Sequence, residues 1–398
     1  MDSLPYPATR TPPIAPSRKI LCACALVASA LLLLPGAAAA APGRLVHARL
    51  AQAGRKLIFS VRSRRPMALA GLQARPVISR AESRYLCLAL SQPGGSGELR
   101  LCLGPTTTRL GSEQVNAKGR VTGQGSLRAT VKRPSPNELV AAFVPADAGL
   151  APRRYGWRAI ASNGCGAGEQ CGEALPARGG YGFRLRPVRP VGCSGGTPGL
   201  VTNGSRERKV VALTFDDGPS EYTPGFLQVL REKGIVGTFF EVGQEMPGRE
   251  ATMREILAQG SELGDHTMNH VEYPGYGQIA GAASRIEAYT HFKPCLFRPP
   301  GGAVNSSVVA TAGSLGMRTI TWDVDPRDWS TPGTAAIYSN IVGHAQPGSI
   351  ILMHDGGGPR GETLEALPHI IDTLRARGYS FTTVSQLLGY HLIYKPYG

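Results

Sequence analysis

Lys209-Val-Val-Ala-Leu-Thr-Phe-Asp-Asp-Gly-Pro219 is the stretch that decides the fold. Lys209 to Phe215 reads as an apolar strand, and it runs directly into two carboxylates and a Gly-Pro turn. Downstream the same grammar of strand, turn and helix repeats. Pro224 to Lys233 is an amphipathic helix stopped by Gly234, and Gly237 to Val242 is a strand. Pro247 is expected to open a helix that runs to Gln259, with Gly260 as its stop. Further strands are predicted at Glu262–His266, Leu296–Arg298, Arg318–Asp323, Ser349–His354 and Ser380–Val384. Helices are predicted around Gln278–His291, Ser306–Leu315, Thr334–Ala345 and Thr363–Arg377. This alternation argues for parallel β/α units. Seven strands suit a barrel or distorted barrel better than a small open sheet, which is the competing arrangement.

Upstream the grammar differs. From about Gly43 to Leu185 short alternating runs, such as Lys56-Leu-Ile-Phe-Ser-Val-Arg and Leu139-Val-Ala-Ala-Phe-Val, are separated by Gly, Pro, Ser and Asn. That spacing predicts an all-β, sandwich-like domain. The expected fold is therefore α/β, a distorted (β/α) barrel preceded by an all-β domain. We place a targeting segment at 1–41, the β-rich domain at 42–186, a Pro/Gly/Ser-rich linker at 187–205 and the β/α domain at 206–398.

The first 41 residues suggest a compartment. Arg10, Arg18 and Lys19 precede an apolar run from Ile20 to Leu34, a Pro35-Gly36 break and an alanine tract. That is the grammar of a cleavable secretory signal, an uncleaved anchor being the alternative. The protein is thus expected to be secreted or associated with the cell wall or surface. Cysteine usage agrees. Beyond Cys22 and Cys24 in the signal, six cysteines remain, and an even set in an exported chain reads as disulfides. Cys87 and Cys102 lie in runs that look like neighbouring strands, Cys165 and Cys171 bracket a Gly-rich loop, and Cys193 with Cys295 is the leftover pair.

Charge is unevenly spread. The chain carries +15 in total, of which residues 42–192 hold +17 and residues 193–398 hold −4. A basic first domain is suited to anionic wall polymers, a membrane surface or peptidoglycan carboxylates, or is a solvated scaffold. Nucleic acid is disfavoured, because the chain reads as exported and its arginines are scattered over strands. No partner protein can be inferred.

The informative residues fall at strand ends, which converge on one mouth in a β/α barrel. Asp216-Asp217 follows the first strand, His266 ends the third, Arg298 ends the next, and His354-Asp355 closes an apolar run. In isolation Asp216-Asp217-Gly218-Pro219 is an ordinary turn, and His354 an ordinary core histidine. His266-Thr-Met-Asn-His270 places two imidazoles at i and i+4, one face of a helical turn, which suits a common metal. Their joint occurrence at one mouth is what a bland explanation fails to cover. Asp323, Asp325 and Asp355 are expected to cap loops or to support the mouth residues from behind, and His344 and His369, in predicted helices, to be ordinary surface or core histidines.

Five ordered segments, Thr214-Phe-Asp-Asp-Gly218, His266-Thr-Met-Asn-His270, Arg298-Pro-Pro300, Asp325-Pro-Arg-Asp-Trp329 and Leu352-Met-His354, resemble the motifs of the NodB-homology polysaccharide deacetylases, carbohydrate esterase family 4. The resemblance covers roughly Lys209 to Leu388, about half the chain. It implies that Asp217, His266 and His270 bind one divalent metal, zinc best, with cobalt, nickel or manganese able to take the same ligands. It implies that Asp216 is the general base, held by Arg298, and that His354 protonates the leaving amine, oriented by Asp328. Trp329 and Leu352 would wall a slot for the acetyl methyl group. The family often has an aromatic residue after Arg-Pro-Pro, whose backbone N–H stabilises the oxyanion. Here it is Gly301, which keeps the N–H and loses the aromatic wall.

The expected activity is removal of N-acetyl groups from a GlcNAc- or MurNAc-containing polymer, peptidoglycan first. O-acetyl ester cleavage on a xylan-type polymer is one alternative. A wall-binding protein with a vestigial catalytic fold is the other, and the complete set of metal and acid–base residues argues against it.

Overall fold

The computed structural model describes residues 45–74, 83–95, 97–163, 172–194 and 198–397. The expected signal at 1–41 and the Cys165 and Cys171 pair lie outside the described residues. Among the described residues no helix is long and apolar enough to cross a membrane.

The first part is antiparallel throughout. Its strands run in the order Leu45–Ala53, Lys56–Ser63, Glu138–Phe143, Val121–Ser135, Arg109–Val115, Glu98–Leu103, Arg84–Ser91, Arg154–Asn163 and Tyr181–Arg184, with Gly172–Leu175 also beside Arg154–Asn163. The long strand Val121–Ser135 makes this sandwich-like. Its first half pairs with Arg109–Val115 and its second half with Glu138–Phe143, so the sheet folds over a shared core. Alternate residues fill that core: Leu57, Phe59 and Val61 from one strand, Leu86, Leu88 and Leu90 from another. Cys87 and Cys102 are direct cross-strand partners and form a disulfide, as their flanking runs suggested.

The second part is a curled parallel sheet. Leu200–Val201, Arg318–Ile320, Leu296–Phe297, Glu262–Asp265, Thr238–Glu241, Val210–Gly218 and Ile350–His354 are neighbours in that order, and Ser380–Phe381 joins the start of Val210–Gly218. Between Arg318–Ile320 and Ile350–His354 the barrel closes irregularly, through a single parallel bridge from Val324 to Ile351. Polar groups complete that seam. The Asp323 carboxylate accepts the Ile350 N–H at 2.8 Å, the Ser349 hydroxyl at 3.0 Å and Arg206 at 2.7 Å. Asp323 is thus a loop-capping carboxylate, and so is Asp325, which accepts the Arg327 N–H at 2.8 Å.

Strand periodicity decides what reaches the mouth. Val211, Leu213 and Phe215 point outward and pack with Phe226, Leu227 and Leu230 of helix Thr223–Lys233. Ala212 packs inside with Phe240, Leu296, Ile320 and Ile350, so Thr214 and Asp216 on the same side also face the interior. Helix stops fall where sequence placed them: Gly234 and Gly260 are both left-handed C-caps.

Three expectations are corrected. Pro247 does not open a helix; the helix is Glu250–Gln259, and residues 247–248 form a turn. The span 187–205 is not an open linker. Val188–Ser194 pairs with a C-terminal strand, His391–Pro396, that periodicity did not predict, and Leu200–Val201 pairs into the barrel. Its Pro and Gly content hid this because Pro190 sits beside a bulge, where a missing N–H is tolerated. Cys193, on that strand, is disulfide-bonded to Cys295. The third correction concerns the His266–His270 loop.

Candidate active site

His266 follows strand Glu262–Asp265, and the chain then leaves regular structure instead of forming the helical turn that the i, i+4 spacing suggested. Thr267 and His270 take left-handed backbone, at φ 68° and 54°, and this re-aims the second imidazole toward the first. The ring centroids end 5.1 Å apart. Asp217, itself at φ 71°, brings its Oδ1 to 3.3 Å from His266 Nε2 and 3.0 Å from His270 Nε2.

The donor chemistry of these three residues fits a metal ion. Their ligand atoms all lie within 4.8 Å of one another. His266 Nδ1–H donates to the Arg298 carbonyl at 2.7 Å, which leaves the Nε2 lone pair directed at Asp217. Asp217 Oδ1 is buried and, among the described residues, has no aligned hydrogen-bond donor. Burial works to raise the Asp217 pKa, but the adjacent His266 and His270 more than offset it and hold the carboxyl well below its usual range. His270 is pushed up in turn, chiefly by its contact with that carboxylate.

Asp216, the neighbouring carboxylate, has a different partner. Arg298 Nη1 donates to its Oδ1 at 2.7 Å and to Thr214 Oγ1 at 2.8 Å, while Nη2 donates to the Thr321 carbonyl at 3.1 Å. Arg298 is fully buried, with its guanidinium 4.1 Å from the Phe240 ring centroid and 5.5 Å from that of Trp322. Burial pulls the Arg298 pKa down, and the Asp216 charge pulls it back. Thr214 was not singled out from sequence, although its position two residues before Asp216 places it on the same strand face.

Across the mouth, His354 Nδ1 is 2.7 Å from Asp328 Oδ1. The other Asp328 oxygen accepts the His354 backbone N–H at 2.9 Å and the Thr363 hydroxyl at 3.0 Å. One buried carboxylate thus fixes both the ring and the strand end that carries it. Burial would lower the His354 pKa, but Asp328 foremost, then Asp216 and Asp217, raise it above its ordinary value. Thr363, in helix Gly361–Ala376, was also missed.

Leu352 is buried on the interior face of its strand, and Trp329 stands half-exposed with the Arg327 guanidinium 5.5 Å from its ring. Gly301 has φ 62°, and a Cβ there would come within 2.9 Å of Glu272 Oε1. Only glycine takes this backbone without strain, and Glu272 occupies the side where an aromatic side chain would project. Glu272, with the exposed Tyr273 and Tyr276, completes that rim. None of the three lies in a recognised motif.

Behind the mouth are buried acids that the sequence did not flag as such. Asp355 accepts the Thr223 hydroxyl, and burial foremost raises its pKa to about 7. Asp265 accepts the Thr267 N–H at 2.8 Å and is raised by burial. Glu241, whose two oxygens lack hydrogen-bond partners among the described residues, is raised by burial and by Asp355. His344 and His369 are exposed helix residues, away from this site.

The polysaccharide deacetylase family profile matches residues 203–320. Over 190 residues the chain is 40% identical to a peptidoglycan-N-acetylglucosamine deacetylase of Bacillus cereus, covering 46% of this chain and 89% of the relative. This chain belongs to the polysaccharide deacetylase family. It is also 35% identical over 194 residues to a chitooligosaccharide deacetylase of Sinorhizobium fredii, covering 44% of this chain and 90% of that protein. Among solved structures it is similar to peptidoglycan deacetylase PdaC from Bacillus subtilis, with 32% identity, a TM-score of 0.42, and coverage of 46% of this chain and 91% of that one. The NodB-type motifs are therefore those of a family of deacetylating hydrolases, and they lie in the parallel half of the molecule.

Proposed function

We propose that the protein is an exported, metal-dependent hydrolase that removes N-acetyl groups from a GlcNAc/MurNAc polymer, with peptidoglycan as the assigned substrate. One observation carries the reading. The two adjacent carboxylates have separate partners, Asp216 with Arg298 and Asp217 with the two imidazoles. One is therefore free for proton transfer while the other serves a metal.

Asp217, His266 and His270 would hold the ion, zinc by preference for two imidazoles and a carboxylate, with cobalt, nickel or manganese as alternatives. When bound, it supplies Lewis-acid polarisation of the acetamide carbonyl and makes water a stronger acid. Asp216 takes the proton of the attacking water, and the buried Arg298 fixes the direction of its carboxylate. The Gly301 N–H donates to the developing oxyanion. His354, kept protonated by Asp328, donates from Nε2 to the departing amine, which leaves as the acetyl group becomes acetate. Leu352 and Trp329 bound the slot for the acetyl methyl.

The assignment to peptidoglycan draws support from the relative in Bacillus cereus and from the secretory grammar of residues 1–41. Two disulfides suit an oxidising compartment. We also read the basic β-rich part as a contact for anionic wall polymer. Acetate release is to be measured on peptidoglycan, chitin oligomers and acetylated xylan, with and without chelator. Release from the first two, abolished by chelator, is expected. Release from xylan alone would replace the amide reading with an ester one. No release with any divalent metal, alongside retained wall binding, would leave a binding protein with a vestigial site.

A further inference from the structure

A second polar concavity lies far from the mouth. Where the β-rich part meets the barrel, a cleft of about 750 Å³ is lined by Arg55, Lys56, Arg109, Arg128 and Arg375, with Asp147 the one carboxylate among the described lining residues. Gly234 and Phe381 also line it. Gly234 precedes strand Thr238–Glu241, and Phe381 pairs with Val211 at the start of Val210–Gly218. The cleft therefore sits at the N-terminal ends of the barrel strands, while the metal ligands and His354 sit at the C-terminal ends. In this fold that end carries no chemistry.

Some of these cations have structural partners. Arg128 and Arg375 both donate to the Lys233 carbonyl, at 3.0 and 2.7 Å, and so cap the negative end of helix Thr223–Lys233. Arg55 lies over Gly260, the stop of the next helix. Arg375 also has Asp372 at 3.9 Å. Among the described residues Lys56 and Arg109 have no ion pair, and Arg109 is held by the Ser126 hydroxyl at 2.7 Å. Asp147 makes no ion pair with any of the five. Burial, then the nearby charges of Arg375 and Arg109, depress the Arg128 pKa, against a smaller pull from Asp147. The like charges are thus close enough to repel one another in a partly enclosed space.

We propose that this cleft binds a phosphate-bearing polyanion, an anchor that holds the enzyme on a charged polymer while the opposite mouth works. Two guanidinia sharing one carbonyl, with a third beside them, can clamp a tetrahedral oxyanion from more than one side; a planar carboxylate occupies a single fork. The concave shape gathers the field of these cations on one side of the molecule. None of the exposed large apolar side chains among the described residues lines the cleft, which favours a soluble polymer over a membrane surface. This deepens the reading of the basic part as a polymer contact and is independent of the deacetylase reading.

The test uses the full chain and inorganic polyphosphate, titrated across a salt series. Lys56→Gln with Arg109→Gln is expected to weaken binding about tenfold at low salt and to reduce the slope of log affinity against log salt by about two. Arg49→Gln with Lys118→Gln, an equal charge change on exposed residues outside the cleft, is expected to leave affinity within about twofold. Both double variants should keep the parent deacetylation rate on neutral oligosaccharide. Equal weakening by the control pair would overturn the cleft while sparing the broader electrostatic reading, and no binding at all would overturn both. Polyglutamate bound as tightly as polyphosphate would overturn the phosphate assignment. Binding confined to phosphatidylglycerol vesicles would overturn the polymer in favour of a membrane.

Discussion

Asp328→Asn tests the acid half of the site in a way that simple loss of activity does not. Asp328 makes three contacts with two oxygens, taking the His354 ring on one and the His354 N–H and Thr363 hydroxyl on the other. Asparagine keeps the shape but has one acceptor oxygen, so either the ring or the strand end loses its partner. It also removes the charge that foremost raises the His354 pKa against burial. A hydrogen bond to a charged group contributes about 1.5–3 kcal/mol, which corresponds to a fall of roughly one to two pKa units. If His354 must be protonated to expel the amine, activity is lost as pH rises through its pKa. The descending, high-pH limb of the kcat profile should therefore move to lower pH by that amount, while kcat at its optimum falls about 10²- to 10⁴-fold. Metal content is measured alongside, and it should not change. A profile whose alkaline limb stays in place despite a lower kcat would refute His354 as the proton donor and leave Asp328 a purely mechanical support.

Asp217→Ala should abolish stoichiometric metal retention, measured by elemental analysis after dialysis, because it removes the carboxylate to which both imidazoles point; retention at parent levels would move the site elsewhere. Arg298→Met leaves the Asp216 carboxylate buried without its cation and should cost about 3–5 kcal/mol, read as a lowered denaturation midpoint. Adding Asp216→Asn to that variant should recover much of the loss, and strict additivity would argue against a coupled pair. Glu262, fully buried, has its pKa raised by burial to about 7 against the partial offset of Ser385 and neighbouring threonines. Its folded pKa lies above the unfolded one, so its contribution is complete below about pH 4.5 and is lost as pH rises to about 7, an effect of order 3 kcal/mol. In Glu262→Gln that pH dependence should vanish; a stability curve parallel to the parent's between pH 4.5 and 8 would count against it.

Legibility followed periodicity. The apolar strands and the glycine-stopped helices could be read because a buried strand and a left-handed helix cap impose residue types locally. The C-terminal strand His391–Pro396 could not, because its pattern is mostly exposed and its partner lies some two hundred residues away in a Pro-rich segment. At the site, Asp216, Asp217, His266, His270, Arg298, Asp328 and His354 stood out because each is a costly residue type at a strand end or in the loop that follows a strand. Thr214 and Thr363 are common residue types whose roles depend on partners distant in sequence. Glu241 and Asp265 were hidden for a different reason: nothing in a sequence distinguishes an exposed carboxylate from one enclosed by its neighbours.

The His266–His270 segment carries the deeper lesson. Its spacing suggested a helix, and the imidazoles do converge, but by a route helical geometry does not use. Six of the seven described non-glycine residues with positive φ lie at the mouth: Asp217 at the end of strand Val210–Gly218, and Thr267, His270, Tyr273, Arg327 and Thr331 outside the strands that lead there. Each such residue costs about 1–3 kcal/mol, so the surrounding structure must hold them. The bonds that do so are visible. Asp265 takes the Thr267 N–H at 2.8 Å, the N–H groups of Gly243 and Gln244 donate to Thr267 and Met268 carbonyls at 2.9 and 2.8 Å, and Met268 N–H reaches Gln278 at 2.9 Å. Strand, loop and helix are thereby stitched together before any ligand arrives. Asp217 and His266 are then fixed at the floor of the site, the latter by its bond to the Arg298 carbonyl, and the partly exposed His270 side chain closes the set from the solvent side. Because Arg298 also grips Asp216, one buried arginine sets the orientation of both a proposed metal ligand, His266, and the proposed base beside it.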